Sequence, residues 1–192
     1  MEVSGLSMMN TRNKIHPMLF GLWISMASIL MMFAALTSAY MVRQAAGNWL
    51  EFQLPNEFFI STAVILFSSV TLHISYISFT RGNELAYKVL MVLSFILGLA
   101  FVYFQYKGWL QLESIGVYLK GNPAGSFVFV ISGLHAAHVL AGVSALVVAL
   151  VHAFALKFKV TYKRKLRFKL VLHYWHFVDL LWIYLLSFMI LQ

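Results

Sequence analysis

Residues 124 to 156 read AGSFVFVISGLHAAHVLAGVSALVVALVHAFAL, thirty-three residues without a single Asp, Glu, Lys or Arg. A soluble amphipathic helix of that length would carry a polar face. A helix rises 1.5 Å per residue and about 20 apolar residues cross the hydrocarbon core, so this run spans a bilayer with length left to tilt or project. Working outward, four more apolar segments reach spanning length, at 18 to 42, 56 to 79, 86 to 107 and 170 to 191. With 61% hydrophobic and only 10% charged residues in the chain, a soluble single-core domain is excluded. The expected fold is an all-α integral membrane protein, a bundle of five transmembrane helices formed by residues 1–192 as a single domain. No repeat or low-complexity tract divides it.

The net charge of +8 would point to nucleic acid in a soluble protein. Here the cations lie between apolar spans and act as orientation signals, so no nucleic-acid partner is expected. Arg12, Lys14, Arg81, Lys88 and the seven cations from Lys157 to Lys169 fall on one side, against Arg43, Lys107 and Lys120 on the other. The positive-inside rule puts the N-terminus in the cytoplasm and the C-terminus outside. The segment from Met1 to Pro17 lacks the charged, apolar and small-residue order of a cleavable signal, so the first helix is expected to be retained. Absence of Cys removes disulfides, thiolate metal sites and the cysteine ligands of a dinuclear copper centre.

Polar residues inside the spans are few and therefore informative. Asp179 lies in the last apolar segment, where an ionisable group costs about 3 kcal/mol on insertion scales and usually faces other helices. His176 precedes it by three residues and shares its helix face, close enough for a charge-assisted contact. His135 and His138 stand in the same relation on the fourth helix. These four residues are expected to form a hydrogen-bonded framework orienting helices four and five, with leucine at position 179 less tolerated than asparagine. Gly133, Ala137, Ala141, Ala145, Ala149 and Ala153 recur every fourth residue and make a narrow ridge that another helix can approach closely. Trp175, Trp182, Tyr174 and Tyr184 are expected to anchor the helix or contact lipid.

Seven histidines raise the question of haem. Bis-histidine ligation requires two imidazoles at matching depth on different helices. His73 and His152 are placed near the cytoplasmic end, His135 and His138 in the outer half, and His176 two turns inside without a matched partner. His16, before Pro17, reads as interfacial. One deep carboxylate and no Glu-x-x-His motif argue against a dinuclear metal centre. No catalytic residue or metal ligand is therefore assigned. A small b-type membrane cytochrome and a proton-coupled transporter remain as alternatives. The second lacks paired Gly- or Pro-broken helices.

Two stretches give a sharper reading. GSFVFVISGLHAAHVLAG, from Gly125 to Gly142, and YWHFVDLLW, from Tyr174 to Trp182, closely resemble subunit III of the haem-copper terminal oxidases, cytochrome c or quinol oxidases, in its short five-helix bacterial form. Ser68-Ser69-Val70-Thr71, Leu97-Gly98 with Gln105, and Gly21-Leu22-Trp23 with Ala39-Tyr40 add weaker similarity. The resemblance implies a non-redox accessory subunit of a proton-pumping oxygen reductase in the bacterial cytoplasmic membrane. Such a subunit would stabilise the catalytic subunit and sustain proton uptake and turnover. It implies that haem and copper reside in partner subunit I, that subunit II belongs to the same complex, and that structural phospholipid is bound. Two departures limit it. Ile29 follows Ser28 where the family carries an acidic residue, so proton handling at that position is not transferred, and Gly108-Trp109 replaces a Glu-Tyr pair after Gln105. The electron donor is not readable from this chain.

Overall fold

The computed structural model describes residues 16–192, so Arg12, Lys14 and the reading of the N-terminal segment lie outside the described residues. Five helices follow one another, α1 (Pro17–Ala45), α2 (Asn56–Thr80), α3 (Glu84–Ser114), α4 (Pro123–Ala155) and α5 (Tyr162–Leu191), and each is long and apolar enough to cross a membrane. Two extend well past their apolar segments. α3 continues to Ser114, and α5 begins at Tyr162 rather than at the first apolar residue near 170. The reason at α5 is local. Thr161 caps the helix by accepting from Arg164 N, and the Arg164 guanidinium donates to the Lys157 and Lys159 carbonyls at 2.8 and 3.3 Å. The five cations from Lys163 to Lys169 therefore fall in the first two turns of α5, while Lys157 and Lys159 precede it.

The other helix starts use familiar chemistry. Asn83 caps α3 and Asn122 caps α4, each side chain accepting from the backbone N–H of the first turn, and Pro17 and Pro123 sit where a missing N–H costs nothing. Between α2 and α3 only Arg81, Gly82 and Asn83 intervene. Gly82 takes φ +83°, and Asn83 N–H donates to the Ser78 carbonyl, closing a Schellman turn that reverses the chain tightly.

α2, α3, α4 and α5 form a ring in which each packs on its neighbours, and α1 lies outside it against α4 and α5. Only Phe33, Thr37 and Tyr40 of α1 are buried. Thr37 and Tyr184 hydroxyls lie 2.9 Å apart, and Tyr40 packs edge-on to Trp49, Phe127 and Phe188, which fixes α1 and the 46–55 connection to the ring. Apolar burial cannot drive helices together in lipid as it does in water, so packing and interhelical hydrogen bonds must supply the association.

Candidate functional site

The polar groups of α2 and α3 meet in a ladder. Gln105 Nε2 donates to Ser61 Oγ at 3.0 Å, Ser68 Oγ to the Ser94 carbonyl at 2.9 Å, and Ser75 Oγ to the Tyr87 carbonyl at 2.8 Å, while Thr71 and Ser94 hydroxyls sit 2.8 Å apart. Ser61, Ser68 and Ser75 recur every seventh residue on one face of α2, a signal that the sequence reading passed over although it is plain in the residues. Gly108 gives the same pair a close approach, because a Cβ there would stand 3.3 Å from the Phe58 ring. Trp109 Nε1 donates to Ser132 Oγ at 2.9 Å, joining α3 to α4. The two residues that depart from the family's Glu-Tyr pair are thus both used in packing.

The expected framework of α4 and α5 is arranged differently from its sequence reading. His135 is completely buried and neither ring nitrogen has a partner among the described residues. Its ring stacks on Trp182 at 4.9 Å and meets Phe33 and Phe101 edge-on, so it acts as one plate in an aromatic cluster. His138 Nδ1 donates to the Leu134 carbonyl on its own helix, and the α4–α5 bond comes from the His138 backbone, which accepts from Tyr174 Oη at 3.0 Å. His176 does not contact Asp179 through a hydrogen bond. It turns to α2, where Nδ1 meets Ser69 Oγ and Nε2 lies 3.2 Å from His73 Nδ1. The two hydroxyl and imidazole partners on α2 occupy both ring nitrogens and leave none for the carboxyl. Asp179 is buried with both oxygens unpartnered among the described residues, and the polar side chain that approaches it is Ser69 of α2.

Trp175 and Trp182, expected at the lipid, are both completely buried. Trp175 fits where glycines open the neighbouring helices. A Cβ at Gly98 would stand 2.8 Å from its Cη2, and a Cβ at Gly142 would stand 3.1 Å from the same ring. Trp182 Nε1 donates to Thr62 Oγ1 at 2.8 Å, with its ring against Phe58 and Phe101. Small residues opposite an indole ring override the usual interfacial preference. The aromatic residues that do face outward include Phe20, Trp23, Tyr103 and Tyr106.

The small-residue ridge divides along α4. Ala153 is buried inside the chain, Ala145 and Ala149 are half-buried, and Ala137 and Ala141 are exposed, while nothing lies within 4 Å of a Cβ built on Gly133. Closest approach within the bundle uses Gly98, Gly108, Gly125 and Gly142 instead. At Ala137 and Ala141 the ridge therefore faces away from the other four helices, with open space beside the half-buried Gly133.

Near the ends of α4 and α5, a cavity of about 490 Å³ is walled by Tyr87, Met91, Val148, His152, Phe168 and Val171, with Arg164 and Arg167 at its rim. The described residues hold no cluster of three or more His, Cys, Asp or Glu placed to enclose a metal. His176 does have a partner imidazole at matching depth, contrary to the sequence reading, but at 3.2 Å the two rings touch directly. A porphyrin does not fit between them. His152 and His173 each donate Nδ1 to the carbonyl four residues earlier.

A multi-pass α-helical membrane protein with a glycine-seated tryptophan and a serine ladder is thus defined, and comparison with known proteins narrows it. The family model described as cytochrome c oxidase subunit III matches residues 7–191. Cytochrome c oxidase subunit 3 of Corynebacterium diphtheriae is 32% identical over 89% of this chain and 86% of its own length. The probable cytochrome c oxidase subunit 3 of Mycobacterium bovis is 30% identical over 94% and 91%. The subunit of Rattus norvegicus is 32% identical over 66% of this chain but 46% of its own, longer sequence. The chain belongs to the cytochrome c oxidase subunit III family.

Proposed function

We propose that this chain is a non-redox accessory subunit of a proton-pumping haem-copper oxygen reductase in a bacterial cytoplasmic membrane. In this reading it packs directly against subunit I, which carries the haems and copper, within a complex that includes subunit II. It stabilises the catalytic subunit and sustains proton uptake over many turnovers. What supports the reading is the outward part of the α4 ridge, exposed at Ala137 and Ala141 with open space beside the half-buried Gly133, next to an α1 with three buried residues, because small residues facing away from their own bundle seat a helix of another chain. The disposition of the histidines supports it as well. His135 is sealed by aromatic rings, and His138, His152, His173 and His176 are held by hydrogen bonds, so their rings serve packing and orientation.

Orientation with the N-terminus in the cytoplasm and the C-terminus outside follows from the cation asymmetry. The cavity by Arg164 and Arg167 suits a structural phospholipid, acyl chains against Met91 and Val148 and headgroup at the guanidinium groups. The related proteins are named for cytochrome c, which favours that donor over quinol. Affinity purification of the tagged chain from detergent-solubilised membranes tests the assignment. A haem-copper catalytic subunit and a copper-binding subunit II should co-purify in equal amounts. Recovery of the chain alone with stoichiometric haem would overturn it in favour of a b-type cytochrome.

A further inference from the structure

α2 and α4 stand across the ring from one another, and α1, which packs on α4 and α5, does not reach α2. The outward face of α2 is therefore open along Leu66, Phe67, Val70, His73 and Ile74. The four apolar side chains suit lipid, whereas His73 does not. α2 is about 37 Å long against a hydrocarbon core of about 30 Å, and His73 is five residues beyond Ser68, the midpoint of Asn56–Thr80. The imidazole therefore stands within the hydrocarbon.

A long polar side chain at that depth bends toward the membrane surface. The His73 ring is held back from doing so. Its Nδ1 lies 3.2 Å from His176 Nε2, with the two rings 5.4 Å apart between centroids and inclined at 38°. His176 is held in turn through Nδ1 by Ser69 Oγ. Two helices thus fix one imidazole at the surface of the bundle, and the contact uses only one of its nitrogens. Nε2, across the ring, has no hydrogen-bond partner among the described residues. Each imidazole nitrogen is either a donor or an acceptor, and leaving it bare in hydrocarbon is costly. Acyl chains offer neither function, and headgroups and water lie nearer the membrane surface. A transmembrane helix of a neighbouring chain meets both needs of this face, with apolar side chains against Phe67, Val70 and Ile74 and one polar group at the depth of His73.

We propose that the outward face of α2 docks a transmembrane helix of another chain, whose hydroxyl, amide or carboxyl group bonds His73 Nε2. This face is distinct from the α4 ridge, so the proposal stands or falls separately from the contact assigned to that ridge. A photo-crosslinking residue in place of the exposed Ile74, in the purified membrane complex, tests it. Mass spectrometry should map the crosslink to a transmembrane segment of another chain with such a polar residue within a turn of the attachment point. Crosslinks only to lipid, or only to a second copy of this chain, would overturn the proposal. His73→Gln and His73→Leu supply a second measurement, because the glutamine amide retains a donor and an acceptor where leucine has neither. The crosslinked chain should leave the complex in detergent roughly tenfold faster with the leucine variant than with the glutamine variant. Equal retention would overturn the proposal and leave His73 as a partner of His176 alone. The crosslink is read with His73 intact, so the test remains decisive where a His73 variant fails to assemble.

Discussion

The Trp175 ring lies between Gly98 of α3 and Gly142 of α4 so closely that a Cβ on the first would stand 2.8 Å from Cη2 and a Cβ on the second 3.1 Å from the ring. Three helices meet at one side chain. Without a hydrophobic force between helices in lipid, such seating carries much of the specificity of the bundle.

Gly98→Ala should therefore destabilise the subunit by about 1–3 kcal/mol, the usual cost of forcing an extra carbon into a packed interior. The indole has little room to retreat, because Gly142 of α4 packs against the same ring. A lowered unfolding midpoint in detergent, with reduced incorporation into the complex, is the expected outcome. An unchanged midpoint would mean that Trp175 is loosely held.

Asp179→Leu should be tolerated at least as well as Asp179→Asn. The sequence reading expects the reverse, on the assumption that α4 supplies partners to the carboxyl. Among the described residues neither oxygen is hydrogen-bonded and only Ser69 of α2 approaches the group, so an apolar side chain of similar size removes a buried polar group, whereas asparagine retains one. Quantitation of assembled complex for the two variants decides the matter. Markedly poorer assembly of the leucine variant would show that the carboxyl has a partner outside this chain.

Trp182→Phe should cost about 1 kcal/mol, and Trp182→Ala about 3–5 kcal/mol. Phenylalanine keeps the aromatic cluster around His135 and loses only the donation to Thr62, whose hydroxyl still donates to the Phe58 carbonyl at 2.7 Å. Thermal unfolding of the two variants measures the difference. Equal losses would assign the role of Trp182 to its N–H rather than its ring.

A cysteine replacing Val160, in the connection before α5, should react with an impermeant thiol reagent only after the cytoplasmic face is made accessible. Val160 is exposed and plays no part in the Thr161 cap, so the label reports topology without disturbing the helix start. Labelling in intact cells would reverse the orientation.

The helices were legible because spanning length is a property of consecutive residues, and 124 to 156 leaves no alternative. Helix ends were less so. The start of α5 depends on Thr161 and on Arg164 reaching carbonyls at Lys157 and Lys159, contacts that span the connection rather than continue an apolar pattern. Sidedness misled most at the tryptophans, since composition places indoles at membrane surfaces and only the third dimension brings Gly98 and Gly142 to Trp175. The same holds for His176. Its spacing from Asp179 is visible along the chain, but Ser69 and His73, more than a hundred residues away, claim its nitrogens. By contrast, the heptad of Ser61, Ser68 and Ser75 was open to reading from sequence.

If this chain supports an oxidase without carrying its redox centres, as proposed, the purified complex should withstand its removal in a particular way. Haem content, haem spectra and the initial rate of oxygen consumption should largely survive. The rate should then decay within fewer turnovers than in the intact complex, because a packed face of subunit I is left to detergent and the order that supports proton delivery loosens. Loss of haem in proportion to the removed chain, or turnover sustained as long as in the intact complex, would contradict the account.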